Sequence, residues 1–349
     1  MKKDNPKILI AFNQPVGGIY KSYDGRIHKT KVEKSIDLSE VGVLEEFEEI
    51  RESLNNLGFN TTNINILNDV EYLIRVIKNE RPDVIFNLVE SVEGDTLKEM
   101  FIAGIFELMN VSYTGCDAYS LGLCLNKHKA KMFLKAAGVN IPRWRLYQDP
   151  LKIISGNHLN FPVIAKPSRE DASVGISEES IVYDEHNLKT RVEFMYENFK
   201  QPILVEEYID GREINSGILG DREKIALPLS EIDFSTLPND LPKIVTYDGK
   251  WMTESVYYKA TVPVCPAPIE DDLANQIKQL SLSVSELFGC RDYCRVDLRL
   301  DKNNIPYVLE VNPNPDISKD AGFPRAAKSY GLSYEELLVT IINFAHARR

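Results

Sequence analysis

Two carboxylates and an amide near the end of this 349-residue chain have the types and spacing of a cation site. The stretch Arg295-Val296-Asp297-Leu298-Arg299-Leu300 is followed by Tyr307-Val308-Leu309-Glu310-Val311-Asn312. Both stretches alternate apolar and polar residues, the period of a strand with one buried face. If Leu300 pairs with Tyr307 in a hairpin, Asp297 lies opposite Glu310, where like charges repel. A hard cation such as Mg²⁺ removes the conflict, because carboxylates bind it while part of its shell stays open to water or phosphate. Asn312, two residues beyond Glu310, adds an amide oxygen on the same face.

Cations occur where local rules disfavour them. Asn126 reads as a helix N-cap, and Lys127, Lys129 and Lys131 follow it in the first turn. The helix dipole opposes positive charge at that end by about 0.3–1 kcal/mol, a cost that a bound anion offsets. Lys166 ends the apolar stretch 161–166. The small-residue loop 167–175 follows, ending in Gly175, and such a loop can present backbone N–H groups to phosphate. A further apolar strand, 203–209, ends in the acids Glu206 and Glu207, and a new strand opens on Glu213. Carboxylates there would accept ribose hydroxyls. Taken singly, each feature also fits a solvated surface.

The elements that must position these groups follow from periodicity. Residues 8–12 form a buried strand. Val41, Leu44, Phe47, Ile50, Leu54 and Leu57 recur at helical spacing before Gly58. A strand at 59–66, a helix at 70–77, a strand at 83–89 and a helix at 97–109 complete an alternation that implies a parallel sheet covered by helices. Beyond residue 120 the pattern changes: helices are predicted from Asn126 to Gly138 and at 184–198, 270–288 and 334–346, with strands at 213–219, 294–300 and 307–311. Residues 228–242 read as irregular. The chain has no GxGxxG turn and no GxxxxGK[ST] loop, so a nucleotide would be held in another way.

Composition bounds the function classes. There are 41 Lys+Arg against 52 Asp+Glu, a net charge of −11. That excludes a protein that coats nucleic acid or anionic membrane non-specifically, though not a local basic pocket. The apolar run 8–12 is too short for a signal-peptide core, and no run approaches the roughly 20 residues of a membrane span, which predicts a soluble protein. The 5 cysteines are an odd number without metal-ligand spacing, which fits a reducing, cytoplasmic setting.

In order and spacing these features resemble the ATP-grasp superfamily, and within it the D-alanine–D-alanine ligases, over residues 83–345. The similar segments are Asp83 to Glu90 with Gly94, Tyr113-Thr114-Gly115, Leu125-Asn126-Lys127, the loop from Lys166 through Ser173-Val174-Gly175, Cys265-Pro266-Ala267, and the hairpin Arg295-Val296-Asp297 with Glu310-Val311-Asn312. The resemblance implies an α/β protein with an N-terminal Rossmann-like lobe (1–120), a central lobe with lid loop 167–175 (121–202) and a C-terminal lobe carrying the metal site (203–349), the last two clasping ATP. It implies that Lys127 and Lys166 hold phosphates, that Glu206, Glu207 and Ile209 border the adenine, and that Glu213 meets the ribose. Asp297, Glu310 and Asn312 would hold two Mg²⁺ ions, with Mn²⁺ an acceptable substitute. Arg295, Lys250 and the lid residue Ser173 form the implied catalytic set. The partners would be a small carboxylate and a small amine, not nucleic acid or membrane, with a homodimer possible through the first lobe.

The departures cluster in the parts that recognise D-alanine. The first loop, Asn13-Gln14-Pro15-Val16-Gly17-Gly18, lacks the family's Glu. Ala172 stands at the lid serine, Trp251 at the tyrosine of the lid contact, and Ala321 at the serine for the second substrate's carboxylate. The expectation is therefore a carboxylate–amine ligase with other substrates. Trp251, Lys319 and Arg325 are the candidate substrate contacts. True D-alanine–D-alanine ligation with a divergent lid, and an ATP-binding module without turnover, are the alternatives. Asp171, an acid on the lid, is the feature that favours the last.

Overall fold

The computed structural model describes residues 5–14, 38–149 and 158–348. In the first lobe β1 (Lys7–Phe12), α1 (Leu38–Asn56), β2 (Asn60–Asn65), α2 (Val70–Glu80), β3 (Val84–Leu88), α3 (Glu99–Leu108), β4 (Ser112–Tyr113) and α4 (Ala118–Leu125) follow in order. The four strands are parallel, in the order β2-β1-β3-β4. Ile8, Leu9, Ile10 and Ala11 are all fully buried, because helices cover both faces of a parallel sheet. Alternate residues divide between those faces. Leu9, Ala11 and Ile85 pack towards α2 and α3, and Ile8, Ile10, Val84 and Phe86 towards Phe47, Ile50 and Leu54 of α1.

The central lobe contains α5 (Lys127–Ala136), β5 (Trp144–Tyr147), β6 (Val163–Pro167), β7 (Ile181–Val182), α6 (Glu185–Phe199) and β8 (Ile203–Glu207). Its antiparallel sheet runs β5-β8-β6-β7. Leu188, Val192 and Met195 of α6 pack on Val163, Ala165, Ile203 and Val205. A division at residue 203 gives β8 to the last lobe, but β8 is hydrogen-bonded on both sides within this central sheet. The chain leaves the sheet only after Glu207.

The last lobe comprises β9 (Arg212–Gly220), β10 (Lys224–Ala226), β11 (Ser230–Asp233), α7 (Tyr247–Trp251), α8 (Val256–Ala260), β12 (Val262–Val264), α9 (Asp271–Leu287), β13 (Asp292–Leu300), β14 (Pro306–Asn312), α10 (Gly322–Tyr330) and α11 (Tyr334–Ala347). Its antiparallel sheet runs β12-β11-β9-β13-β14, with β10 on β9. The stretch 228–242 is not wholly irregular, since β11 pairs with β9 and β12 inside it. A Cβ on Gly211 would lie 1.9 Å from the Leu300 carbonyl oxygen, so only glycine lets the turn into β9 pass so close to the end of β13.

The hairpin register differs from the expected one at its turn. Leu300 pairs with Pro306, not Tyr307, yet Asp297 still faces Glu310, because the register shifts between Asp297 and Leu298. Leu309 is the extra residue of this bulge. It lets Val308 and Val311 both point into the core while Glu310 stays on the polar face.

The last two helices return to the first lobe. Phe323, Leu337, Leu338, Ile341 and Ile342 complete the layer beneath Ile8, Ile10 and Phe86. Leu338→Ala should therefore lower the unfolding free energy by about 2–5 kcal/mol, read by urea denaturation. A change under about 1 kcal/mol would show that α11 is not part of the first lobe's core.

Candidate active site

The cleft between the central and last lobes is lined by cations and acids together, Lys127, Lys166 and Arg299 with Glu206, Glu213 and Glu310. Each element delivers its group for a local reason. Asn126 caps α5 by accepting the Lys129 N–H at 3.0 Å, and this fixes where the helix begins. Lys127 then projects into the cleft and pairs with Glu310 of β14. Lys131, one helical turn further, is 1% exposed and lies 3.1 Å from Glu206. Lys166, at the end of β6, also lies 3.1 Å from that same Glu206 oxygen. Lys129 points to solvent. The three lysines predicted together in one turn therefore divide into one that lines the cleft, one buried behind it against Glu206, and one in solvent.

These charges hold one another in place. Burial alone would raise the Glu206 carboxyl, but Lys131 and Lys166 hold it below the usual range. Burial pushes Lys131 down to about 8 against the pull of Glu206. Burial acts likewise on Glu310, and Lys127, Lys166 and Arg295 more than offset it. A buried charge is tolerated only when paired in this way. The bulge carbonyl of Leu309 accepts from Lys131 at 3.3 Å, which joins α5 to the bulge that keeps Glu310 facing the cleft.

Arg295 grips Asp297 bidentately, at 2.7 Å and 2.9 Å. Asn215 and Asn312 each donate to Asp297 at 2.7 Å. Asn312 turns its Nδ2 to Asp297, which leaves its amide oxygen as an acceptor. Asp297 and Glu310, register partners on adjacent strands, together with that amide oxygen form a hard oxygen set of the kind Mg²⁺ prefers. Among the described residues no group of three His, Cys, Asp or Glu converges as a metal site; this set is two carboxylates and an amide.

Ile209, Glu207 and Glu213 line the far end of the cleft. The Glu207 carboxylate accepts the Asn160 N–H at 2.6 Å and pairs with Arg143. Burial raises the Glu213 carboxyl, opposed by Arg299 4.0 Å away. Lys250, on α7, is brought to the same charges: burial and then Arg295 lower it, while Asp297, Glu310 and Asp171 oppose them.

The lid folds over Lys127. Ser173 and Asp171 line the cleft. Ala172 and Ser173 both adopt left-handed backbone, with φ of 46° and 62°, a cost of about 1–2 kcal/mol each. Turns from Asp171 to Val174 (2.8 Å) and from Ser173 to Ile176 (3.0 Å) offset it. The Trp251 indole N–H donates to the Ala172 carbonyl at 3.2 Å, so this expected substrate contact also fastens the lid. Lys319 and Arg325 do not reach the cleft. The Lys319 backbone N–H donates to Glu49 of α1 at 2.8 Å and its ammonium lies 5.6 Å from the Tyr334 ring. Arg325 donates to the Asp320 carbonyl at 2.6 Å. Residues 15–18 of the first loop lie outside the described residues. Sequence reasoning missed Asn215 and Arg299, which reach the site only because β9 and β13 are paired; the helical interval from Lys127 to Lys131 could have separated Lys131 from Lys129.

A family model, D-ala D-ala ligase C-terminus, matches residues 133–343. The uncharacterised protein y4sG of Sinorhizobium fredii is 34% identical over 76% of this chain and 75% of its own. The D-alanine–D-alanine ligase of Nitrosospira multiformis is 32% identical over 70% of this chain and 74% of its own. The structure of the Bacillus anthracis D-alanine–D-alanine ligase complexed with ATP superposes with a TM-score of 0.72 at 22% identity, covering 98% of both chains. The VanG D-Ala:D-Ser ligase of Enterococcus faecalis gives 0.70 at 22% identity, over 98% of this chain and 99% of its own. No helix among the described residues is long and apolar enough to cross a membrane. The chain belongs to the D-alanine–D-alanine ligase family of ATP-grasp proteins, ligases that form a C–N bond.

Proposed function

We propose that this protein is an ATP-dependent carboxylate–amine ligase that works through an acyl phosphate and acts on substrates other than a pair of D-alanines. The observation that supports it most is the meeting of Lys127 and Lys166 with Glu310 in one cleft, with Arg295 and Lys250 near enough for their charges to act on Asp297 and Glu310, although these residues lie far apart in the chain. Adenine would lie against Glu206, Glu207 and Ile209, with the ribose on Glu213.

The substrate carboxylate attacks the γ-phosphorus, the bond to the bridging oxygen breaks, and ADP leaves. An amine then attacks the acyl carbon, and phosphate departs as the amide forms. Lys127, Lys166 and Lys250 neutralise the transferring phosphoryl oxygens. Arg295, held by its two bonds to Asp297, would stabilise the oxyanion of the second step. Two Mg²⁺ ions, held by Asp297, Glu310 and Asn312, would supply further positive charge at the phosphates. The lid carrying Ser173 excludes the water that would hydrolyse the acyl phosphate.

The difference from D-alanine chemistry rests on Ala172 and Trp251. At the positions where the family closes its lid over D-alanine, these two bond to each other. Alanine offers no hydroxyl there, and the indole N–H is already occupied.

ATP, Mg²⁺ and D-alanine alone should release no phosphate above background, whereas a screen of amino acids and dipeptides read by ADP and product mass should find an active pair. Phosphate release with D-alanine alone would overturn the substrate assignment. Glu310→Gln should lower turnover at least about a hundredfold with the fold intact by circular dichroism; unchanged turnover would remove Glu310 from the metal site. Lys131→Met leaves Glu206 with a single cation. It should cost about 3 kcal/mol of stability and raise the KM for ATP, because Lys166 is then drawn to Glu206; an unaltered KM would confine Lys131 to a structural role.

A further inference from the structure

A second, smaller cleft lies between the first and last lobes. Glu46 of α1, Glu90 just after β3, Glu99 at the start of α3 and Asp316 beyond β14 stand on its wall, and no Lys, Arg or His is among its described lining residues. Glu46 and Glu99 are 6% and 8% exposed. Their printed partners are neutral: the Ile317 N–H donates to Glu46 at 3.0 Å, and the Asn314 amide to Glu99 at 3.3 Å. Burial, followed by Asp316, pushes the Glu46 carboxyl up to about 8. Burial, followed by the Asp171 charge, likewise raises Glu99, and Glu90 stands exposed on the wall of the same cleft. Buried carboxylates are ordinarily paired with cations, as Glu206 is in the larger cleft.

Asn87 makes an independent case for a ligand. It lines this cleft and is 3% exposed. Its Oδ1 accepts the Val89 N–H at 3.3 Å, yet its Nδ2 has no partner among the described residues. A buried amide donor left unmade costs about 1–3 kcal/mol. A ligand that fits this lining brings an acceptor to Asn87 and positive charge to the acids. The carboxylates are too dispersed to converge on a metal ion, which favours an extended organic cation.

The cleft adjoins the reacting groups. Asp316 lies four residues beyond Asn312 and is among the charges that act on Arg295. Asp171 of the lid acts on both Glu90 and Glu99.

We propose that this cleft selects an amino-acid substrate with a cationic side chain, its positively charged nitrogens seated among Glu46, Glu90, Glu99 and Asp316 and its carboxyl or carbonyl oxygen on Asn87. This rests on the ligase reading for what happens to the bound molecule, but not for the binding itself. Lysine, arginine and norleucine, in both stereochemical forms, are titrated calorimetrically into the full chain, with and without a non-hydrolysable ATP analogue and Mg²⁺. Norleucine matches the length of lysine without its side-chain charge. Lysine or arginine should bind at least tenfold more tightly than norleucine. Glu90→Gln, a change at an exposed position, should abolish that preference. Equal binding of lysine and norleucine, no binding of any, or a preference retained in Glu90→Gln overturns the proposal. ADP release with neutral amino acids alone would overturn it and leave the ligase reading standing. Lysine binding without ADP release from any acid–amine pair would do the reverse.

Discussion

Asp297 and Glu310 face each other across β13 and β14, and two carboxylates so placed need cations. The protein supplies them from both sides of the cleft. Arg295, on β13 itself, takes Asp297. Lys127, at the start of α5 in the central lobe, crosses to Glu310. The cross-lobe pair ties the helix that precedes the central sheet to the strand that closes the last one. It also answers the dipole problem at the start of α5, because the charge that the helix end disfavours is met by a carboxylate.

The same logic extends one layer deeper. Glu206 is almost fully buried and is met by two lysines, one from α5 and one from β6. Lys131 reaches both Glu206 and the bulge carbonyl of Leu309, so central sheet, helix and the β13–β14 hairpin meet at one ammonium. The positions of these lysines are set by the acid they share.

The second cleft breaks this pattern. Its carboxylates are gathered by α1, β3, α3 and the segment after β14, and none is answered by a cation from the described chain. In the larger cleft charge is balanced within the protein. In the smaller one the balance is left to whatever binds there. The contrast, rather than the number of acids, distinguishes the two sites.

Local rules sufficed for much of this. The parallel first sheet was legible because strands and helices alternate along the chain and its central strands β1 and β3 are apolar on both faces. The start of α5 was legible from Asn126, and the opposition of Asp297 and Glu310 from the alternation in the hairpin. These are short-range consequences of backbone periodicity and capping. The placement of β8 within the central sheet, the bulge at Leu309, the burial of Lys131 and the distance of Lys319 and Arg325 from the cleft were not legible. Each depends on which strands pair and which helices cover them, and so on contacts between residues far apart in the chain. The sequence by itself determined the kinds of charge available and the local elements that carry them. Only the tertiary structure decided which charges meet, because pairing energy at a buried site depends on distance and desolvation, and neither is encoded in local spacing.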